Sequence, residues 1–179
     1  MPENSKTEIA KTYTPKAIEK KWYQTWLDKK YFQAKSQSDQ PSFSIVIPPP
    51  NITGSLHTGH ALDNTLQDTL IRWKRMQGFN TLWMPGTDHA GIVTELIMEQ
   101  KLLDEGTSRQ ELGRENFIQR MWEWKNESRG RIIDQLQQIG CSCDWERERF
   151  TLDDGLSKAV RSAFVQLFKK GLIFRGDYI

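Results

Sequence analysis

Five residues, Phe43-Ser44-Ile45-Val46-Ile47, limit the folds open to this chain more than any composition figure, because Pro48-Pro49-Pro50 stop them at once. Proline has no N–H to give a sheet ladder, so a short β-branched run cut off this way reads as a strand buried in a parallel sheet. A proline- and glycine-containing loop follows. The 3.6-residue spacing of Leu62, Leu66, Leu70, Trp73 and Met76 then predicts a helix from Gly59 to Gln77 with those residues inward, and Gly78 stops it. Thr81-Leu82-Trp83-Met84 is a second strand, ending at Pro85-Gly86. Strand, helix and strand in this order make a βαβ unit, whose parallel sheet is covered on both faces.

The flanking segments are helical. Residues 1–13 read as a flexible tail, and residues 14–42 as a helix and linker. Thr14-Pro15 offers a capping hydroxyl and a proline at the first helical position, and Ile18, Trp22 and Trp26 form a stripe up to Lys30. Gly91–Glu105 is a helix with Ile92, Leu96, Met98, Leu102 and Leu103 inward. Ser108 and Glu111 have capping-box spacing and open a long helix to Gln138. Thr151–Lys170 repeats the pattern, with Leu156, Val160, Phe164, Leu167 and Phe168 inward. Leu172 to Ile179 reads as another strand in which the chain stops. The fold class is therefore α/β: the first half of a Rossmann-like parallel-sheet domain over residues 43–179, with helical additions, truncated.

Composition excludes more than it assigns. With 25 basic and 23 acidic residues the net charge is +2, too balanced for a dedicated nucleic-acid wrapping domain. No apolar run reaches the roughly 18 residues of a membrane span, and the first residues lack a signal region. Cys141 and Cys143 have no second pair with which to build a zinc site, so they read as idle thiols in a reducing cytoplasm, with no metal site. Most of the seven tryptophans are expected to anchor the core. Trp145-Glu146-Arg147-Glu148-Arg149 reads as a solvated turn with local ion pairs, and Trp122 and Trp124 as packing residues.

The loop from Pro48 to His60 carries the chemistry. In open parallel sheets ligands bind beyond the carboxyl ends of the strands, and this loop lies there and opens a helix. A helix N-terminus presents N–H groups and a positive dipole end to a phosphate. Gly54 and Gly59 let backbone or a flat ring approach, and His57 and His60 share one face of the first turn. A rigid turn with two capping histidines is the plainer alternative.

Pro48 to His60 resembles the HIGH motif of class I aminoacyl-tRNA synthetases, in the extended P-P-P-N-x-T-G-x-L-H-x-G-H form of the valine, isoleucine and leucine group. The resemblance continues through Leu66-Gln67-Asp68, Arg72 to Gly78, Pro85 to Ile92, and Asp144 to Thr151. Within the group, Gly86-Thr87-Asp88-His89-Ala90-Gly91-Ile92 is similar to the valine-specific branch. That resemblance implies ATP-dependent activation of valine and its ligation to tRNA(Val), with Mg²⁺ accompanying ATP, in a monomeric cytoplasmic enzyme without membrane association. It implies His57 and His60 as catalytic residues. Pro50, Asn51, Thr53, Gly54 and Gly59 join them around ATP. Pro48, Asn51 and Asp88 take the amino acid, with Asp88 on its ammonium group; a helix cap for the segment from Gly91 is the alternative role for Asp88. The family's K-M-S-K-S lysines, editing domain and anticodon-binding helices have no counterpart in these residues. The fragment is expected to be cut near the start of the editing insertion and to be inactive alone. An isoleucine or leucine relative and a non-catalytic nucleotide- or RNA-binding paralogue are the competing readings.

Overall fold

The computed structural model describes residues 11–177 and divides them into two compact units, one ending at Tyr31 and the other starting at Phe32. Most of the tail read over residues 1–13 lies outside the described residues.

The first unit is helix α1, Pro15–Asp28. Proline at its first position pre-sets the helical φ. Thr14 is extended as an N-cap should be, but its hydroxyl makes no capping bond, against expectation. The helix closes through Lys29 and Lys30, whose N–H groups donate to the Thr25 and Leu27 carbonyls.

The second unit is built on the expected βαβ crossover. Strand β1, Ser42–Val46, pairs in parallel with β2, Asn80–Met84, in the register Ser42–Asn80 to Val46–Met84. Helix α2, Thr58–Met76, connects them, and Gly78 at φ 83° takes the left-handed turn that ends it. The ladder then runs on past the prolines. Ile47 N–H donates to Met84 O (2.9 Å), Asp88 N–H to Pro50 O (2.8 Å), and Ile52 N–H to Asp88 O (2.9 Å). A second parallel pair, β3 (Gly86–Thr87) with β4 (Arg149–Phe150), brings in a distant part of the chain. Helices α3 (Ile92–Asp104), α4 (Arg109–Leu112), α5 (Arg114–Gln138) and α6 (Asp154–Lys169) complete the unit. Its core joins Ile47, Ile52, Ile71 and Trp83 to Ile132, Leu136, Cys143 and Phe150, with Met98, Leu102 and Phe117 in a second cluster.

Several faces point the other way from the sequence reading. On α2 the inward residues are Asn64 and Ile71, both buried, while Leu62, Leu66, Leu70, Trp73 and Met76 are 45–84% exposed. The polar residues on the inward side have partners that no periodicity reveals. Gln67 accepts from the Trp83 indole (3.0 Å). Asp68 accepts from Ser142 N–H (3.0 Å) and binds Arg72 (2.7 Å). Strand β1 is only half-buried along its length, since β2 is its one ladder partner among the described residues. Met98 and Leu102 of α3 face inward as expected, but Ile92, Leu96 and Leu103 are exposed, and so are Val160, Phe164, Leu167 and Phe168 of α6.

The helix expected from Ser108 breaks at Gly113, whose φ of 77° turns the chain between α4 and α5; Ser108 still caps, accepting from Glu111 N–H (3.2 Å). Residues 172–177 form no strand, and the remainder of the strand read there lies outside the described residues. Of the seven tryptophans only Trp83 is fully buried, with Trp124 and Trp145 packed partly against the core.

Candidate active site

The Pro48–His60 loop is held from two sides. On one, the extended ladder sets Asn51 beside Asp88. On the other, α5 supplies two side chains: Trp124 donates its indole N–H to Ile52 O (2.9 Å), and Gln135 accepts from Leu56 N–H (3.0 Å). Pro50 is buried and its carbonyl is used by Asp88 N–H. Pro48 and Asn51 are exposed, Thr53 and Gly54 half-buried, and a side chain at Gly54 would meet nothing within 4 Å. The loop is therefore anchored at Pro50 and Ile52 and open at Pro48 and Asn51.

His57 and His60 form a reciprocal cap at the start of α2. Nδ1 of His57 accepts from Gly59 N–H (3.1 Å), and Nδ1 of His60 accepts from His57 N–H (3.3 Å). The rings lie with centroids 3.9 Å apart. A ring nitrogen that accepts a hydrogen bond carries no proton, so both imidazoles are held as the Nε2–H tautomer. Two N–H donors thus project from one helical turn, beside the positive end of the helix dipole. Burial, then the neighbouring His57, holds the His60 pKa below its usual value, with Asp63 opposing, which favours this neutral form. Gly59 has a local reason to be glycine. A Cβ there would lie 2.9 Å from Cε1 and 3.0 Å from Nδ1 of His57.

Asp88 stands where the ladder ends, and its two oxygens differ. Oδ1 accepts from the Thr151 hydroxyl (2.9 Å) and from Ala90 N–H (3.3 Å), and lies 3.3 Å from Nδ1 of His89. Oδ2 has no donor among the described residues, although the side chain is 35% exposed. Gly91, not Asp88, is the N-cap residue of α3. Ala90 takes a left-handed φ of 54°, a conformation that costs a non-glycine residue and is kept here by the Asp88 turn and by Thr94, whose hydroxyl bonds His89 O (2.7 Å). Thr151, Trp124 and Gln135 were not singled out for the site by sequence. Thr151 lay inside a motif block; Gln135 carries no local signal at all.

A cavity of about 640 Å³ opens beside His89, between Phe117, Trp122 and Phe150. It touches the Pro48–His60 loop only at Ile52, so it is not the candidate site. Local ion pairs form around Trp145–Arg149 as expected, Arg147 with Asp144 and Arg149 with Asp153, but the segment is not simply solvated: Asp144 is buried, and Glu148 pairs with the distant Arg129 of α5. Cys141 and Cys143 are buried thiols. Desolvation pushes the Cys141 thiol up to about 12 and raises that of Cys143 as well. No helix among the described residues is long and apolar enough to cross a membrane.

The family model for tRNA synthetases class I (I, L, M and V) matches residues 21–179. The chain belongs to this family. Among curated relatives of this chain are the valine–tRNA ligases of Geobacter sulfurreducens, 63% identical over 170 residues, and of Clostridium tetani, 54% identical over 176 residues. The matches cover 95% and 98% of this chain but 19% and 20% of those ligases, so the chain spans about one fifth of their length. A solved structure, the LeuRS of Agrobacterium radiobacter K84 agnB2 in a ternary complex with tRNA and LeuAMS, superposes with a TM-score of 0.75 at 24% identity. That match covers 93% of this chain and 20% of the other, and the synthetase fold is shared.

Proposed function

We propose that this chain supplies the histidine-bearing half of a valine-activating site. In that site valine and MgATP give valyl-adenylate and pyrophosphate, and the valyl group then passes to the terminal ribose of tRNA(Val). The observation that carries this reading is the ladder that sets the Pro50–Ile52 segment against Asp88, beyond the carboxyl ends of β1 and β2.

The valine carboxylate is already ionised at neutral pH, so it attacks the α-phosphorus without a protein base. A bond forms from carboxylate oxygen to phosphorus, and the bond to the bridging oxygen of pyrophosphate breaks, that oxygen keeping the electron pair. Catalysis then rests on placement and on stabilising charge as it moves. His57 and His60 would each donate Nε2–H to phosphate oxygens. Pro50, Asn51, Thr53, Gly54 and Gly59 would shape the nucleotide side, and the open space at Gly54 supports that placing. Asp88 would bind the ammonium group through Oδ2, with Pro48 and Asn51 beside the valine side chain. Mg²⁺ would enter with ATP, bound to its phosphates. A monomer in the reducing cytoplasm suits this reading, and two buried cysteine thiols agree with the reducing compartment.

The test is valine-dependent ATP–pyrophosphate exchange. It is run in Geobacter sulfurreducens valine–tRNA ligase whose matching segment is replaced by this chain, and in the isolated chain. We expect exchange with valine over isoleucine and leucine, a large loss in the His57→Ala/His60→Ala double variant, and at most residual exchange by the isolated chain. Exchange that survives the double variant at the parent rate refutes the histidine roles. A preference for isoleucine or leucine refutes the valine assignment.

A further inference from the structure

Among the described residues the Asp88 carboxylate is bonded on one oxygen only, and its side-chain hydroxyl donor, Thr151, directly follows β4. We infer that Thr151 is a positioning residue for Asp88: it immobilises Oδ1 so that Oδ2 faces the ligand. The inference rests on the reading of Asp88 as the ammonium-binding group.

Proton accounting leads to this assignment. The Thr151 hydroxyl has one hydrogen and two lone pairs. Its hydrogen goes to Asp88 Oδ1, 2.9 Å away, because an ionised carboxylate can only accept. The oxygen then accepts from His89 N–H at 2.9 Å and faces Nδ1 of the same histidine at 2.5 Å. Two acceptors cannot share that approach, so Nδ1 of His89 carries a proton. The same Nδ1 lies 3.3 Å from Asp88 Oδ1. His89 is therefore the opposite tautomer from His57 and His60. Thr151 saturates all its hydrogen-bonding capacity in one small triangle, and Asp88 Oδ1 receives donors from Thr151 and Ala90.

The backbone holds Thr151 in this place. Its N–H donates to Thr87 O (3.2 Å), one residue past the β3–β4 pair, so the hydroxyl is carried on the same ladder that ends at Asp88. Immediately after it, Asp153 binds Arg149 through two 2.7 Å bonds and donates its own N–H to Phe150 O (2.8 Å). The turn that carries Thr151 is thereby closed on itself. A free Asp88 side chain would turn about its Cα–Cβ bond and carry the carboxylate away from the ladder end; one held in this way keeps a single χ1 rotamer, with one oxygen bonded and the other open. For a cation, this removes an ordering cost from binding.

Two measurements on Thr151→Val and Thr151→Ser test the inference. Valine has nearly the shape of threonine without the hydroxyl, and serine keeps the hydroxyl. In the 179-residue chain, three-bond Hα–Hβ couplings of Asp88 are expected to show one χ1 rotamer in the parent and in Thr151→Ser, and averaging in Thr151→Val. In the chimaeric ligase, Thr151→Val should raise the KM for valine by about 10-fold or more, with the KM for ATP changed less than about 2-fold, and Thr151→Ser should restore it. The 10-fold figure corresponds to a charge-assisted hydrogen bond. A single unaltered rotamer in Thr151→Val, or equal damage from serine and valine, overturns the positioning role. Asp88→Asn separates the two layers. If it leaves the KM for valine unchanged, the ammonium reading fails, while the rotamer measurement still decides whether Thr151 positions Asp88.

Discussion

Gly59→Ala separates stability from chemistry at the start of α2, and the structure allows both effects to be estimated. The new Cβ would lie 2.9 Å and 3.0 Å from two atoms of the His57 ring, closer than real methyl contacts allow. The backbone of the first helical turn is fixed, so the imidazole must swing away. It then loses the 3.1 Å bond from Gly59 N–H, and the ring stack with His60 at 3.9 Å is broken. Loss of an N-cap acceptor costs about 1 kcal/mol. Replacing a helical glycine by alanine returns up to about 1 kcal/mol, less in a first turn. These nearly cancel, so the urea midpoint of the 179-residue chain should move by an amount equivalent to less than about 1 kcal/mol. The effect on chemistry does not cancel. Misplacing one preorganised donor to the moving phosphate charge should lower the exchange rate of the chimaeric ligase by on the order of 10²-fold. Parent-level exchange in Gly59→Ala would refute the claim that the glycine exists to seat the His57 ring. Destabilisation well above 2 kcal/mol would refute the claim that the effect is local.

Three further outcomes are expected. Asp68→Ala should destabilise the chain by about 3 kcal/mol in urea denaturation, because it strands the N–H and hydroxyl of fully buried Ser142 and removes the carboxylate that Arg72 binds; a loss under about 1 kcal/mol would contradict this. His60 should titrate below 6.5 by NMR. Its folded pKa is lowered, so its contribution to stability is complete above the unfolded value near 6.5. That contribution is lost as the pH falls through the depressed folded value, because protonated Nδ1 can no longer accept from His57 N–H. A midpoint above 6.5 would show that the neutral cap does not exist. Cys141 and Cys143 should resist thiol reagents at pH 8 until the chain is denatured, since both are buried and their pKa values are raised.

Local signals made much of the site readable. The proline stop after Ile47, the glycine after α2 and the apolar run of β2 are each backbone rules, and each lies where it was read. The Pro48–His60 block and its neighbours also identified the family that the match over residues 21–179 shows. The inward faces were read less well, for a definite reason. Periodicity says which side chains share a face of a helix; it does not say which way that face points. Leu62, Leu66 and Leu70 do share one, yet Gln67 and Asp68 point inward because Trp83 and Ser142 wait there with matching donors.

What the amino-acid order determined by itself was therefore the βαβ unit, its stops, and the pair of histidines on one helical turn. Tertiary structure decided which atoms of those residues are available. It set both His57 and His60 as Nε2–H donors by giving each Nδ1 a backbone partner. It also brought Thr151 to Asp88 across 63 residues through the β3–β4 pair, so that one carboxylate oxygen is taken while the other has no donor among the described residues. Hydrogen-bond donors and acceptors act over about 3 Å, and only the folded backbone brings residues so distant in the chain within that range.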